Sequence, residues 1–209
     1  PAALLLLSAL ALGALQAAVP TAREMRGPFP IMSTPYHEDG AVDYDALARE
    51  VKGVADCGCP GVIWCQSNDA VDLLTTDEKI RGFAACAAAA EGLDIVMTFG
   101  ANGTNTTEML FLASAIEDIA ARYPRAMIAV ISRPPDDARS QEDIASAWDA
   151  LGRRVKRPVI FQTYGTSKTP TPSVGLLVDL ARKHPHAFGY VKEEAAGWEA
   201  NERMLEEGK

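Results

Sequence analysis

From Gly27 onward the chain repeats one theme: a short apolar run, a polar loop, then an amphipathic helix. One such unit takes about thirty residues, the length of a strand–helix crossover unit. The apolar runs are residues 28–33 (PFPIMS), 61–65 (GVIWC), 94–99 (DIVMTF), 126–132 (AMIAVIS), 158–163 (PVIFQT) and 187–193 (AFGYVKE). They are nearly continuous rather than alternating, as expected of parallel strands covered on both faces. Helix starts lie between them. Thr75-Thr76-Asp77-Glu78 predicts a capping box, and Ser140-Gln141-Glu142-Asp143 puts a hydroxyl at the cap and acids in the first turn. Thr171-Pro172 predicts a cap followed by proline at the first helical position. Leu47, Val51 and Val54, then Leu176, Leu177, Leu180 and Ala181, form apolar stripes at helical spacing. The expected fold is a single α/β domain of six units. An open doubly wound sheet and a (β/α)₈ barrel wall both satisfy the pattern, and either keeps its functional side chains at the carboxyl ends of the strands.

The first residues do not follow the theme. Residues 2–14 (AALLLLSALALGA) are an unbroken apolar run, followed by the small residues Ala17 and Ala18. A secretory signal has an apolar stretch of about 7–15 residues and a small-residue cleavage site. Residues 1–17 are therefore expected to be a signal-peptide-like segment and 18–27 a linker, which predicts export to the periplasm or another extracytoplasmic space. The alternatives are an uncleaved N-terminal membrane anchor or a buried helix in a cytoplasmic protein. The run is short for a stable span, which takes about 20 apolar residues. Hydrophobic residues make up 48% of the chain and charged residues 23%, as in a packed globular protein. A net charge of −8 argues against a nucleic-acid partner, since phosphate binding needs a basic face.

Chemistry-bearing residues sort by position. His184 and His186 enter the last apolar run from the wrong end for catalysis, and His37 stands in a polar turn. GxSxG, phosphate-loop and HExxH motifs are absent. Cys57 and Cys59 lack the spacing of a redox or zinc pair. Cys57, Cys59, Cys65 and Cys86 are expected to be mostly small buried hydrophobes, with a disulfide at Cys86 left open and no metal site. Gly100-Ala-Asn-Gly103 before a threonine-rich helix start offers backbone N–H groups to an anion.

Several strand ends, taken in order, carry a resemblance. They are Ser33-Thr34-Pro35-Tyr36 with Asp39-Gly40-Ala41-Val42-Asp43, Gly61-Val62-Ile63, and Leu74-Thr75-Thr76-Asp77-Glu78. Gly100-Ala101-Asn102 with Thr106-Thr107-Glu108, Pro158-Val159-Ile160 and Gly189-Tyr190-Val191-Lys192-Glu193 follow. Their order and spacing over about residues 28–200 resemble the dihydrodipicolinate synthase / N-acetylneuraminate lyase family, the Schiff-base-forming class I aldolases of the TIM-barrel class. The resemblance implies a (β/α)₈ barrel, of which residues 28–209 would supply about six units, since a complete barrel takes about 250 residues. It also implies a lysine that condenses with pyruvate or another 2-oxo acid, no organic cofactor or metal, and a homodimer or homotetramer.

Lys192 fits that role on its own chemistry. It lies in an apolar run near a carboxyl end, and desolvation favours the neutral amine that attacks a carbonyl. Ser67 and Asn68 are the expected carboxylate-binding donors, with Thr163 and Arg133 as further substrate contacts, Arg133 by a bidentate clamp. The alternative for Lys192 is an ion pair with Glu193 or Glu194 at the strand end, Glu194 sharing its face and opposing a lowered pKa, and for Arg133 a surface ion pair. The chain also departs from the family. Gln66-Ser67-Asn68-Asp69-Ala70 replaces a Gly-Thr-Thr-Gly-Glu loop and brings an acid that would repel an anionic substrate if it pointed inward. Residues 132–137 (SRPPDD) lack the family's proton-shuttling tyrosine, and whether Tyr164 or Asp136 takes its place is not fixed by the sequence. A catabolic sugar-acid lyase or dehydratase is therefore expected before dihydrodipicolinate synthesis. The rival expectation is a non-catalytic extracytoplasmic binding protein for an acidic sugar or keto acid on the same fold.

Overall fold

The structure, a computed structural model, describes residues 25–207 apart from 70, 167 and 195–197. The signal-peptide-like segment and most of the 18–27 linker lie outside the described residues. Five apolar runs form strands: β1 (Gly61–Trp64), β2 (Val96–Gly100), β3 (Met127–Ser132), β4 (Val159–Gln162) and β5 (Phe188–Lys192). The first run, 28–33, does not. Pro28 and Pro30 have no amide hydrogen to offer a ladder. What remains is one parallel bridge, Ile31 against Ile63. It is closed by Met32 N–H to Ile63 O at 2.9 Å and Ile63 N–H to Pro30 O at 2.8 Å.

The strands pair in parallel in the order β1-β2-β3-β4-β5. Sequential order excludes the doubly wound alternative, whose strand order must reverse at a switch point. The helices are α1 (Tyr44–Asp56), α2 (Thr76–Ala90), α3 (Thr106–Arg122), α4 (Gln141–Arg154), α5 (Val174–Lys183) and α6 (Trp198–Glu207), each packed against the next. No helix among the described residues is long and apolar enough to cross a membrane.

Strand alternation divides the apolar residues into two layers. Trp64, Phe99, Val130, Phe161 and Phe188 point toward the helices and join Phe83, Ile116 and Trp148 in the large core. Ile63, Val96, Ala129, Ile131 and Ile160 point the other way, forming a smaller interior cluster with Met25, flanked by Phe29, Ile31 and Tyr190. Burying each large side chain contributes about 1.5–3 kcal/mol, so the helix-side layer supplies most of the stabilisation.

One irregularity controls the interior. Val159 pairs with Phe188, but the next residue, Ile160, pairs with Tyr190, leaving Gly189 as a bulge. A bulge reverses which side of the sheet the following residues face. Phe188 therefore packs outward, stacked 4.3 Å from Phe161, while Tyr190 joins the interior cluster. Lys192, two residues on and opposite Gln162, shares the interior face with Tyr190.

The Thr75–Glu78 and Ser140–Asp143 capping boxes are both formed. The α5 cap is Ser173 rather than Thr171. Gln141 explains the shift: its Nε2 donates to Thr171 O and its Oε1 accepts from Ser173 N–H, both at 2.8 Å, holding 171–173 outside the helix. Cys65 and Cys86 are buried, and burial pushes the Cys65 thiol up to about 12. Cys57 is exposed and Cys59 half-buried, against expectation, because they flank Gly58 in the turn after α1. All four are free thiols, so Cys86 forms no disulfide.

The carboxyl ends of β1 and β2 approach closely. A Cβ on Gly100 would lie 1.6 Å from the Cys65 carbonyl oxygen. Backbone atoms cannot yield as a flexible side chain does, so Gly100→Ala should destabilise the fold by about 3 kcal/mol. The measurement is the midpoint of urea unfolding; an unchanged midpoint contradicts the packing described.

Candidate active site

Lys192 stands at the carboxyl end of β5 with 22% of its side chain exposed. Burial pushes its amine below the usual lysine range. The Glu194 carboxylate contacts Nζ, forming the strand-end ion pair that is the alternative expectation for this lysine, and works against that shift by favouring the ammonium. The other Glu194 oxygen accepts from Gln162 Nε2 at 2.6 Å. Gln162 Nε2 also donates to Ser67 Oγ at 2.5 Å, which joins β4 to the loop after β1. A carboxylate only accepts, so the Gln162 amide nitrogen must face it. Gln162 is fully buried, and its Oε1 has no hydrogen-bond partner among the described residues. Lys192, Glu194, Gln162 and Ser67 thus form one chain of contacts across the interior end of the sheet.

Thr163 fixes the backbone of this group. Its N–H donates to Lys192 O at 3.1 Å, its Oγ1 donates to Glu193 Oε1 at 2.9 Å, and it accepts from Glu194 N–H at 2.7 Å. The Glu193 carboxylate is thus held at Thr163, while the Glu194 carboxylate is held at Gln162 and Lys192. Asn68 is exposed and lies 3.4 Å from Ser67 Oγ through its Oδ1.

Arg133 belongs to a neighbouring cluster. Only 7% of its side chain is exposed. Its Nη2 lies 3.2 Å from Asp136 and 3.5 Å from Asp72, and its guanidinium stands 5.6 Å over the Tyr164 ring. Asn102 accepts from Arg133 N–H at 3.0 Å and donates to Cys65 O at 3.4 Å, tying the ends of β1 and β3. Cys65 has a φ of 63°, a left-handed conformation uncommon for a residue with a side chain. It turns the chain sharply into the loop that carries Ser67.

Two further sequence expectations find their contacts here. Asp69 is held by Thr34 N–H at 2.7 Å and Thr34 Oγ1 at 2.5 Å, and Trp64 Nε1 donates to the same hydroxyl at 3.1 Å. The acid thus ties the Ile31 bridge segment to the end of β1. The amide and hydroxyl of Thr104 meet Glu108 Oε2 at 2.8 and 2.7 Å. The anion at that helix start is the protein's own. His184, at the opposite end, is bonded to Asp149 at 2.7 Å. The site residues the sequence reasoning passed over are Gln162, which alternation from Ile160 places inward, and Asp72. Only the Lys192-x-Glu194 spacing signalled Glu194.

No family model matches the chain. A 4-hydroxy-tetrahydrodipicolinate synthase of Haloarcula marismortui is 31% identical over 93 residues, 44% of this chain and 30% of the relative. The solved dihydrodipicolinate synthase from Aquifex aeolicus superposes with a TM-score of 0.77 at 20% identity, covering 87% of this chain and 59% of that one. The N-acetylneuraminate lyase of Mycoplasma synoviae gives a TM-score of 0.72 at 19% identity, covering 89% and 60%. At these identities the structural likeness establishes the fold. The chain spans between 30% and 54% of the length of the curated relatives it matches.

The Asp69 tie generates a stability prediction. Asp69→Ala leaves the Thr34 amide without its acceptor and should cost about 2 kcal/mol. Thermal unfolding measures it, and an unchanged melting temperature contradicts the tie.

Proposed function

We infer that this chain, a divergent member of the dihydrodipicolinate synthase / N-acetylneuraminate lyase family, carries a lysine-dependent lyase site for 2-oxo acids of the pyruvate type. One observation carries the inference: Lys192 is half-buried on the interior face at a strand's carboxyl end, with a depressed pKa and a carboxylate in contact. A surface lysine has no such setting. Imine formation needs the neutral amine, because the ammonium has no lone pair to attack a carbonyl. The resulting iminium withdraws electrons from the adjoining carbon, so a C–C or C–H bond there breaks or forms at a lower barrier. Ser67, held by Gln162, and Asn68 beside it are the donors for the substrate carboxylate.

The substrate is proposed to be a sugar acid rather than the precursor of dihydrodipicolinate. Two features support this. Residues 132–137 contain no tyrosine, and Arg133, Asp72 and Asp136 provide charged hydrogen-bonding groups suited to a polyhydroxylated chain. The signal-peptide-like segment 1–17 supports an extracytoplasmic, catabolic setting for such a reaction.

Pyruvate with borohydride tests the site. Reduction should fix a covalent adduct on the peptide containing Lys192, and Lys192→Ala should remove it and lower turnover by on the order of 10³-fold or more. The amine is charged below its pKa, so the trapping rate should rise with pH and level off below the ordinary lysine value of about 10.4. Absence of an adduct with any 2-oxo acid overturns the proposal.

A further inference from the structure

The proton transfers of imine formation need a carrier, and the segment that holds the family's tyrosine has none here. We propose that Glu194 is that carrier, a catalytic residue acting directly at Lys192 Nζ, and that Gln162 is the residue that positions it. This rests on the Schiff-base reading above. One Glu194 oxygen contacts Lys192 Nζ while the other is held by Gln162 Nε2 at 2.6 Å, and the Glu194 amide is bonded to Thr163 Oγ1 at 2.7 Å. Side chain and backbone are therefore both fixed with a carboxylate oxygen at the reacting nitrogen.

The other acid–base groups are placed elsewhere. Tyr164 lies beneath the Arg133 guanidinium, and Asp136 is paired with the same arginine. Glu193 is bonded to Thr163. Tyr190 shares the face of Lys192 but sits two residues deeper, about 6–7 Å along the strand, against the Ile160 cluster.

The steps balance. Glu194 carboxylate takes a proton from the Lys192 ammonium, giving a neutral amine and a carboxylic acid. The amine lone pair bonds to the ketone carbon, and the C=O π pair moves to oxygen. Glu194 gives its proton to that oxygen and takes one from the new ammonium nitrogen, leaving a carbinolamine. It then protonates the hydroxyl, which departs as water while the nitrogen lone pair forms the C=N⁺ bond. The carboxylate is regenerated, and the ammonium and ketone have become iminium and one water.

Borohydride trapping with pyruvate, followed as a rate against pH, tests this in the wild type, Glu194→Gln, Glu194→Asp and Gln162→Leu, with circular dichroism to verify folding. A carboxylate acting only as counter-ion would hold the lysine protonated, so Glu194→Gln would free the amine and speed trapping at neutral pH. A proton carrier predicts the opposite: trapping slower by about 10²–10³-fold, with the acid limb that a titrating carboxylate adds to the profile lost, the rise from amine deprotonation kept, and the adduct still on Lys192. Glu194→Asp should keep the acid limb at a reduced rate, which covers a glutamine variant that fails to fold. Gln162→Leu should move that limb, since it changes the carboxylate's surroundings without touching the amine. Unchanged or faster trapping in Glu194→Gln with the wild-type profile overturns the assignment while leaving the lysine chemistry standing. No wild-type adduct overturns both.

Discussion

The bulge at Gly189 decides what the interior of this protein contains. A regular β5 would put Phe188, Tyr190 and Lys192 on one face. Either the phenylalanine would leave the helix-side core, or the lysine would be buried among Trp148 and Phe161. The extra residue lets Phe188 stack on Phe161 while Tyr190 and Lys192 turn inward. Phe188 packs toward the helices and Tyr190 and Lys192 toward the interior, and the bulge allows both. Burying an amine remains costly, and the contact with Glu194 offsets part of that cost without cancelling the downward shift of the lysine pKa.

The strand ends around Lys192 are joined by side chains rather than by further sheet. Asn102 links β1 to β3, Gln162 links β4 to the loop after β1, and Thr163 links β4 to β5. Asp69 and Thr34 extend the series to the bridge segment. Thr163 and Asp69 join neighbouring segments, Asn102 reaches from the end of β2 to the strands on either side, and Gln162 crosses the interior, so the carboxyl end is a cross-braced rim. The left-handed backbone at Cys65 and the close approach at Gly100 belong to this rim, where strained geometry is retained because the surroundings over-determine it.

Much of the fold was legible in the sequence because it is encoded locally. Five apolar runs became strands, and the Thr75 and Ser140 caps formed where their residue spacing put them. The failures are non-local or depend on a missing donor. Thr171 lost the cap to Ser173 because Gln141, thirty residues earlier, holds the intervening backbone. The first apolar run lacks amides at two prolines, which hydrophobicity does not register. Within the candidate site, Lys192 and Ser67 are singled out by strand-end position alone, while the bond from Gln162 to Ser67 spans 95 residues and depends on register. The bulge was invisible for the same reason, since Gly189 marks a bulge only once β4 is placed beside it. Asp69 was legible as an acid and illegible as the partner of Thr34.

The fold turns Lys192 inward and places the Glu194 carboxylate against it, and the function proposed above makes that pair a Schiff-base site. A crystal structure of the protein with pyruvate bound is the decisive test. It should show continuous density from Lys192 Nζ to the ketone carbon of pyruvate, with a Glu194 oxygen beside the nitrogen and the pyruvate carboxylate against the Ser67 loop. Pyruvate bound without a bond to Lys192, or Lys192 pointing toward the helix layer, would contradict it.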